Sequence, residues 1–134
     1  MRKMLGLSTS INVAKENAMT SEIKQLQQQL AKFAAERDWD QFHSPKNLAM
    51  ALSGEIGELT EIFQWLTPEQ SEHLPTAKKA HLEEEIADVL MYLLRLADKC
   101  DVDIMTACQK KLSKNEKKYP IDKCFGNAKK YNEL

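Results

Sequence analysis

The sequence predicts an all-α fold: a four-helix-bundle type subunit that assembles into a homo-oligomer. Three observations carry this reading. Apolar residues recur at helical spacing in four separate stretches. β-Branched residues never fall into the period-2 alternation of a strand. Each stretch is bounded by Ser, Thr, Asp or Pro at capping or breaking positions. A length of 134 residues fits one domain, and 29% charged with 43% hydrophobic residues is ordinary for a soluble globular chain.

Residues 1–19 read as a flexible extension, because Met4-Leu5-Gly6-Leu7 is too short for a signal-peptide core and soon meets Ser8-Thr9-Ser10. Thr20 or Ser21 then caps a first helix with Ile23, Leu26, Leu30, Phe33 and Ala34 on one face. Arg37 to His43 breaks the pattern and forms a connection. Ser44-Pro45 restarts a helix, Ser44 as N-cap and Pro45 in the first turn, where its missing N–H costs nothing. This second helix runs to about Leu66, with Leu48, Leu52, Leu59, Ile62, Phe63 and Leu66 on its face, and Thr67-Pro68 stops it. After a polar linker through Pro75, Thr76 caps a third helix carrying Leu82, Ile86, Val89, Leu93, Leu96 and Cys100. Asp101 or Asp103 opens a fourth with Ile104, Ala107, Cys108 and Leu112, which Pro120 ends. The helical domain is thus expected over 20–120, with an irregular tail over 121–134.

A net charge of −1 gives no global bias toward nucleic acid or a membrane, and no apolar run is long enough to span one. Three cysteines, Cys100, Cys108 and Cys124, with no Cys-x-x-Cys argue for reduced thiols in a cytoplasmic protein without structural zinc. Charge is nevertheless segregated. Nine acids lie between Glu55 and Asp88 against Lys78 and Lys79, whereas eight lysines lie between Lys110 and Lys130 against Glu116 and Asp122. An acidic centre followed by a basic end suits a metal and a polyphosphate.

Two carboxylate pairs stand out inside apolar helical patterns: Glu55 with Glu58, and Glu85 with Asp88, each at i, i+3. On a helical wheel both pairs flank a core face, while Glu61, Glu83 and Glu84 point outward. An acid there is costly without a partner. The i+4 positions that could supply lysine hold Leu59, Ile62, Val89 and Tyr92 instead. Neither pair is Glu-x-x-His, the di-iron pattern, so an all-oxygen site for Mg²⁺ fits better. Gly54 and Gly57 weaken this helix, which tight helix packing or close approach of a ligand or second backbone would explain.

Glu-x-x-Glu, a spacer of 26 residues and Glu-x-x-Asp resemble the all-α nucleoside triphosphate pyrophosphohydrolases of the MazG-like superfamily. The segments Arg37 to Leu48, Gly54 to Leu59, Phe63-Gln64-Trp65, Glu85 to Leu93 and Lys117 to Pro120 resemble the dCTP pyrophosphatase branch within it. The resemblance implies cleavage between the α and β phosphates, with Glu55, Glu58, Glu85 and Asp88 as Mg²⁺ ligands and catalytic acids. It further implies Trp39, His43, Trp65 and Tyr92 around the nucleotide, and Lys111, Lys114, Asn115, Lys118 and Tyr119 at the phosphate and sugar. The expected function is nucleotide-pool sanitising on dCTP or related deoxynucleotides by a dimer or tetramer, with no nucleic-acid or membrane partner. The alternatives are the same chemistry on dUTP or a damaged nucleotide, or a non-enzymatic helical interaction module.

Overall fold

The computed structural model describes residues 22–134, and every element among them is helical. Residues 1–19 and the Thr20/Ser21 cap lie outside the described residues. The chain divides into two compact units, one ending at Asp101 and the other beginning at Val102.

In the first unit, α1 covers 22–36. It closes through a turn in which Asp38 takes a positive φ of 54° and Trp39 N–H donates to the Ala34 carbonyl at 2.9 Å. Aspartate tolerates that left-handed conformation better than most residues. A 3-10 turn at Asp40–Phe42 follows. Then α2 spans Pro45–Phe63, with the Ser44 hydroxyl accepting from Asn47 N–H and Pro45 in the first turn, as the sequence predicts.

Three boundaries differ from the sequence reading. The second helix stops at Phe63, not Leu66. The linker contains a short helix, α3, at Pro68–Ser71, because Thr67 and Gln70 form a reciprocal capping box. Helix α4 spans Thr76–Lys99, and its N-cap is Pro75, so Thr76 is the first helical residue and makes no cap.

Helices α2 and α4 pack on each other. They run antiparallel: Glu55 lies near Asp88 and Glu85, while Leu59 and Phe63 share an apolar groove with Ile86 and Leu82. Helix α1 joins them through Gln27, whose side-chain amide donates to the Leu94 carbonyl at 3.1 Å. The buried apolar positions are Ala34, Leu48, Ile62, Leu94 and Ala97. The α4 stripe is therefore rotated from the expected one: Leu94 and Ala97 point inward, whereas Ile86 and Leu93 are exposed. Glu85 and Arg95 are buried on the same helix.

The second unit holds α5 at Ile104–Lys118, capped by Asp103 accepting from Thr106 N–H, with Lys117 and Lys118 in the last turn. No residue of α5 is buried among the described residues: of its expected apolar stripe Ile104 is half-buried, and Ala107, Cys108 and Leu112 are exposed. The tail is more ordered than expected: α6 spans Ile121–Cys124, and a 3-10 turn spans Tyr131–Glu133. The Tyr131 ring meets Tyr119 edge-on at 6.4 Å and lies 4.6 Å from the Lys118 ammonium, an arrangement that favours a cation on a ring face.

Candidate active site

Antiparallel α2 and α4 bring together carboxylates that are 30 residues apart in sequence. Oxygens of Glu55, Glu58 and Glu85 all lie within 4.8 Å of one another. Burial is graded: Glu85 is 7% exposed, Glu55 is half-buried and Glu58 is exposed. Burial first, and then the neighbouring charges of Glu58, Asp88 and Glu85, push the Glu55 carboxyl above the ordinary carboxylate range. Like charges held this close disfavour joint ionisation.

Glu85 is only half satisfied. Its Oε1 pairs with His81 Nε2 at 2.9 Å, and its Oε2 is buried without a hydrogen-bond partner. A buried carboxylate oxygen left unpaired is expensive. The donor set consists of carboxylate oxygens alone, which suits a hard divalent cation. A cation here would satisfy Glu85 Oε2 and relieve the repulsion on Glu55, so the residues fit a Mg²⁺ site.

Asp88 is not one of the three clustered acids. It lies one turn further along α4, close enough to raise Glu55, and it lines a neighbouring cavity of about 350 Å³ between α1 and α4. Trp39, His43 and Tyr92 line that same cavity, so the structure brings together three of the four residues expected around a nucleotide. Trp39 is held edge-on to Phe33 at 5.8 Å, and the Arg37 guanidinium caps Phe33 from 3.6 Å. Trp65 is elsewhere. It follows the end of α2 and is 86% exposed, so it lines no part of this cavity and packs into no core within the described residues. Lys111, Lys114, Asn115, Lys118 and Tyr119 lie on and just after α5 in the second unit.

Sequence reasoning passed over two residues. His81 is four residues before Glu85, so the i−4 position supplies the partner that the i+4 position lacks. Arg95 also lines the cavity. Its signal was available: a cation between Leu94 and Leu96 is the same anomaly as an acid in an apolar stripe. Tight packing within the chain does not explain the two glycines. A Cβ at Gly54 or Gly57 would meet nothing within 4 Å among the described residues.

The family model described as MazG-like matches residues 50–134. The chain belongs to the MazG-like family. This MazG-like chain is 47% identical over 106 residues to the mouse protein named dCTP pyrophosphatase 1, covering 78% of its own length and 62% of the relative's. Human dCTP pyrophosphatase 1 is 46% identical over 106 residues, with the same coverages. The chain therefore spans less than two thirds of the length of these curated relatives. A crystal structure of a pyrophosphatase from Archaeoglobus fulgidus DSM 4304 is similar at a TM-score of 0.70 and 42% identity, covering 74% of this chain and 93% of that one. No helix among the described residues is long and apolar enough to cross a membrane.

Proposed function

We propose that this MazG-like chain is a Mg²⁺-dependent nucleoside triphosphate pyrophosphohydrolase. It converts a (d)NTP and water to the (d)NMP and pyrophosphate, prefers dCTP or a related deoxynucleotide, and sanitises the nucleotide pool of the cytoplasm. One observation carries this reading: an acid cluster with an unpartnered buried oxygen adjoins, through Asp88, a cavity lined by Trp39, His43 and Tyr92. The similarity to two proteins named dCTP pyrophosphatase 1 supports the substrate class.

Glu55, Glu58, Glu85 and Asp88 would hold Mg²⁺, which when bound would supply charge neutralisation of the triphosphate and polarisation of its phosphoryl oxygens. The carboxylates at the edge of the cluster orient the attacking water and accept its proton, and exposed Glu58 is the candidate. Trp39 stacks on the base, while His43 and Tyr92 contact the nucleotide from the same cavity wall. Lys111, Lys114 and Lys118 serve as point charges for phosphate, with Asn115 and Tyr119 contacting phosphate or sugar.

Subunits of the four-helix-bundle type assemble into a dimer or tetramer, and Trp65 completes the site of a neighbouring copy. Support comes from the exposed apolar residues Met50 and Ile56 on α2, Trp65 just after it, and Ile86, Leu90 and Leu93 on α4. The open surface at Gly54 and Gly57 lets a second backbone approach closely.

The test is pyrophosphate release from a panel of deoxynucleoside triphosphates with Mg²⁺. The expected result is the highest kcat/KM on dCTP, with Glu55→Gln and Asp88→Asn each lowering it more than about 100-fold. No release from any nucleotide, or undiminished release in both variants, would overturn the reading.

A further inference from the structure

Arg95 is 6% exposed and makes three side-chain contacts. Nη2 donates to Asp40 Oδ1 at 2.6 Å, Nη1 to Asp98 Oδ2 at 3.4 Å, and Nε to His43 Nδ1 at 3.2 Å. The last of these fixes the chemistry of His43. A guanidinium is always charged and has no acceptor, so its Nε–H can only donate. Nδ1 must then be the bare acceptor nitrogen, and a neutral ring carries its proton on Nε2. The opposite ring flip would set a carbon against Nε–H and lose the bond. Protonating Nδ1 would point an N–H at a cation.

The groups around His43 agree. Burial, then the Arg95 charge, push its pKa below the ordinary histidine value; Lys99 acts in the same direction and Asp40 in the opposite one. Asp40 is already committed, since its Oδ1 accepts from both Arg95 and Lys99. With the Nδ1 edge turned to Arg95, the edge that His43 offers a ligand is Nε2, and no hydrogen bond occupies that atom among the described residues.

We propose that Arg95 is a positioning residue that locks His43 as a neutral Nε2–H donor, so that the cavity reads a hydrogen-bond acceptor on the base and selects cytosine over uracil. Cytosine presents N3 as an acceptor, whereas uracil and thymine present N3–H, a donor that would face the imidazole donor. A site built to donate rejects the analogue lacking the acceptor, because both donors are then left unpaired. The inference rests on the nucleotide-binding reading of this cavity, and it assigns Arg95 a task the acid cluster does not share.

Two measurements test it without relying on turnover. Long-range proton–nitrogen NMR of the ¹⁵N-labelled imidazole in the wild-type protein is expected to show Nδ1 bare and Nε2 protonated. A proton on Nδ1, or a charged ring at neutral pH, overturns the proposal. Calorimetric binding of dCMP and dUMP with Mg²⁺ is expected to favour dCMP by about 10-fold or more. In Arg95→Met that ratio is expected to collapse toward one. Equal binding of both monophosphates by the wild type, or an unchanged ratio in folded Arg95→Met, overturns the inference. A wild type that prefers dCMP but releases no pyrophosphate from dCTP contradicts the proposed activity and supports this inference.

Discussion

Helix α4 buries charge at two places, and the two are handled in opposite ways. Near its C-terminal end, Arg95 and Lys99 meet Asp40, Asp98 and His43, so each cation has partners supplied by the chain. Two to three turns earlier, Glu85 meets Glu55 and Glu58, and its Oε2 has no partner among the described residues. The first arrangement is complete as folded. The second is an excess of negative charge with geometry suited to a cation. The difference separates a buried charge whose partners the chain supplies from one left partly unpartnered among the described residues, though both appear in the sequence as a charge in an apolar stripe.

The largest expected effect sharpens this contrast at the acid end. Glu55→Gln should abolish more than about 99% of pyrophosphate release, yet raise the melting temperature in chelator, because it relieves the burial and repulsion that raise the Glu55 carboxyl. A lower melting temperature in chelator would mean that Glu55 is held by partners like those of Arg95.

Next in size is His81→Ala. It removes the one side-chain hydrogen bond to Glu85 among the described residues and should weaken Mg²⁺ binding about 10-fold, read from the midpoint of the Mg²⁺-dependent melting shift. At the other end, Arg95→Met should lower the melting temperature by about 5 °C equally with and without Mg²⁺. A Mg²⁺-dependent difference there would merge the two regions into one network.

The smallest effect is pH-dependent. The Lys99 hydrogen bond, with Arg95 behind it, holds Asp40 below its ordinary value of 3.8 despite some opposing desolvation. Its contribution to stability is therefore complete above the unfolded value and is lost as pH falls through the lower folded value. Asp40→Asn should melt earlier than wild type at neutral pH, and the two should converge in acid below that folded value. A gap that persists there would show packing, not charge, at work.

The sequence made legible whatever depends on near neighbours. The Ser44-Pro45 start, a fourth helix opening at Asp101 or Asp103 and the two i, i+3 acid pairs follow from local spacing, and the structure bears out the helices they define, with Asp103 as the cap. The family was legible from the same motifs. What was hidden depends on distant partners or on details of capping. Asp40 reaches Arg95 across 55 positions and Lys99 across 59, so a loop acid between Trp39 and Gln41 gave no sign of its role. Thr67 and Gln70 hid a capping box inside a segment that reads as polar linker. Wheel angles placed Leu93 inward and overlooked Leu94, since the wheel cannot say which flank of an amphipathic helix meets its neighbours. The wheel placed Asp88 beside Glu85 but gave no sign that it also lines the aromatic cavity.

The proposed chemistry requires that the uncompensated acids form a divalent-cation site. Calorimetric titration of Mg²⁺ into metal-free protein tests this directly, with a melting curve at saturation. Saturable binding is expected, with a stabilisation of about 2.7 kcal/mol when free Mg²⁺ reaches a hundred times Kd. Both effects should be lost in Glu55→Gln and Glu85→Gln and kept in Arg95→Met. Mg²⁺ that neither binds nor stabilises the wild type, or that stabilises both acid variants as well as the wild type, would contradict it.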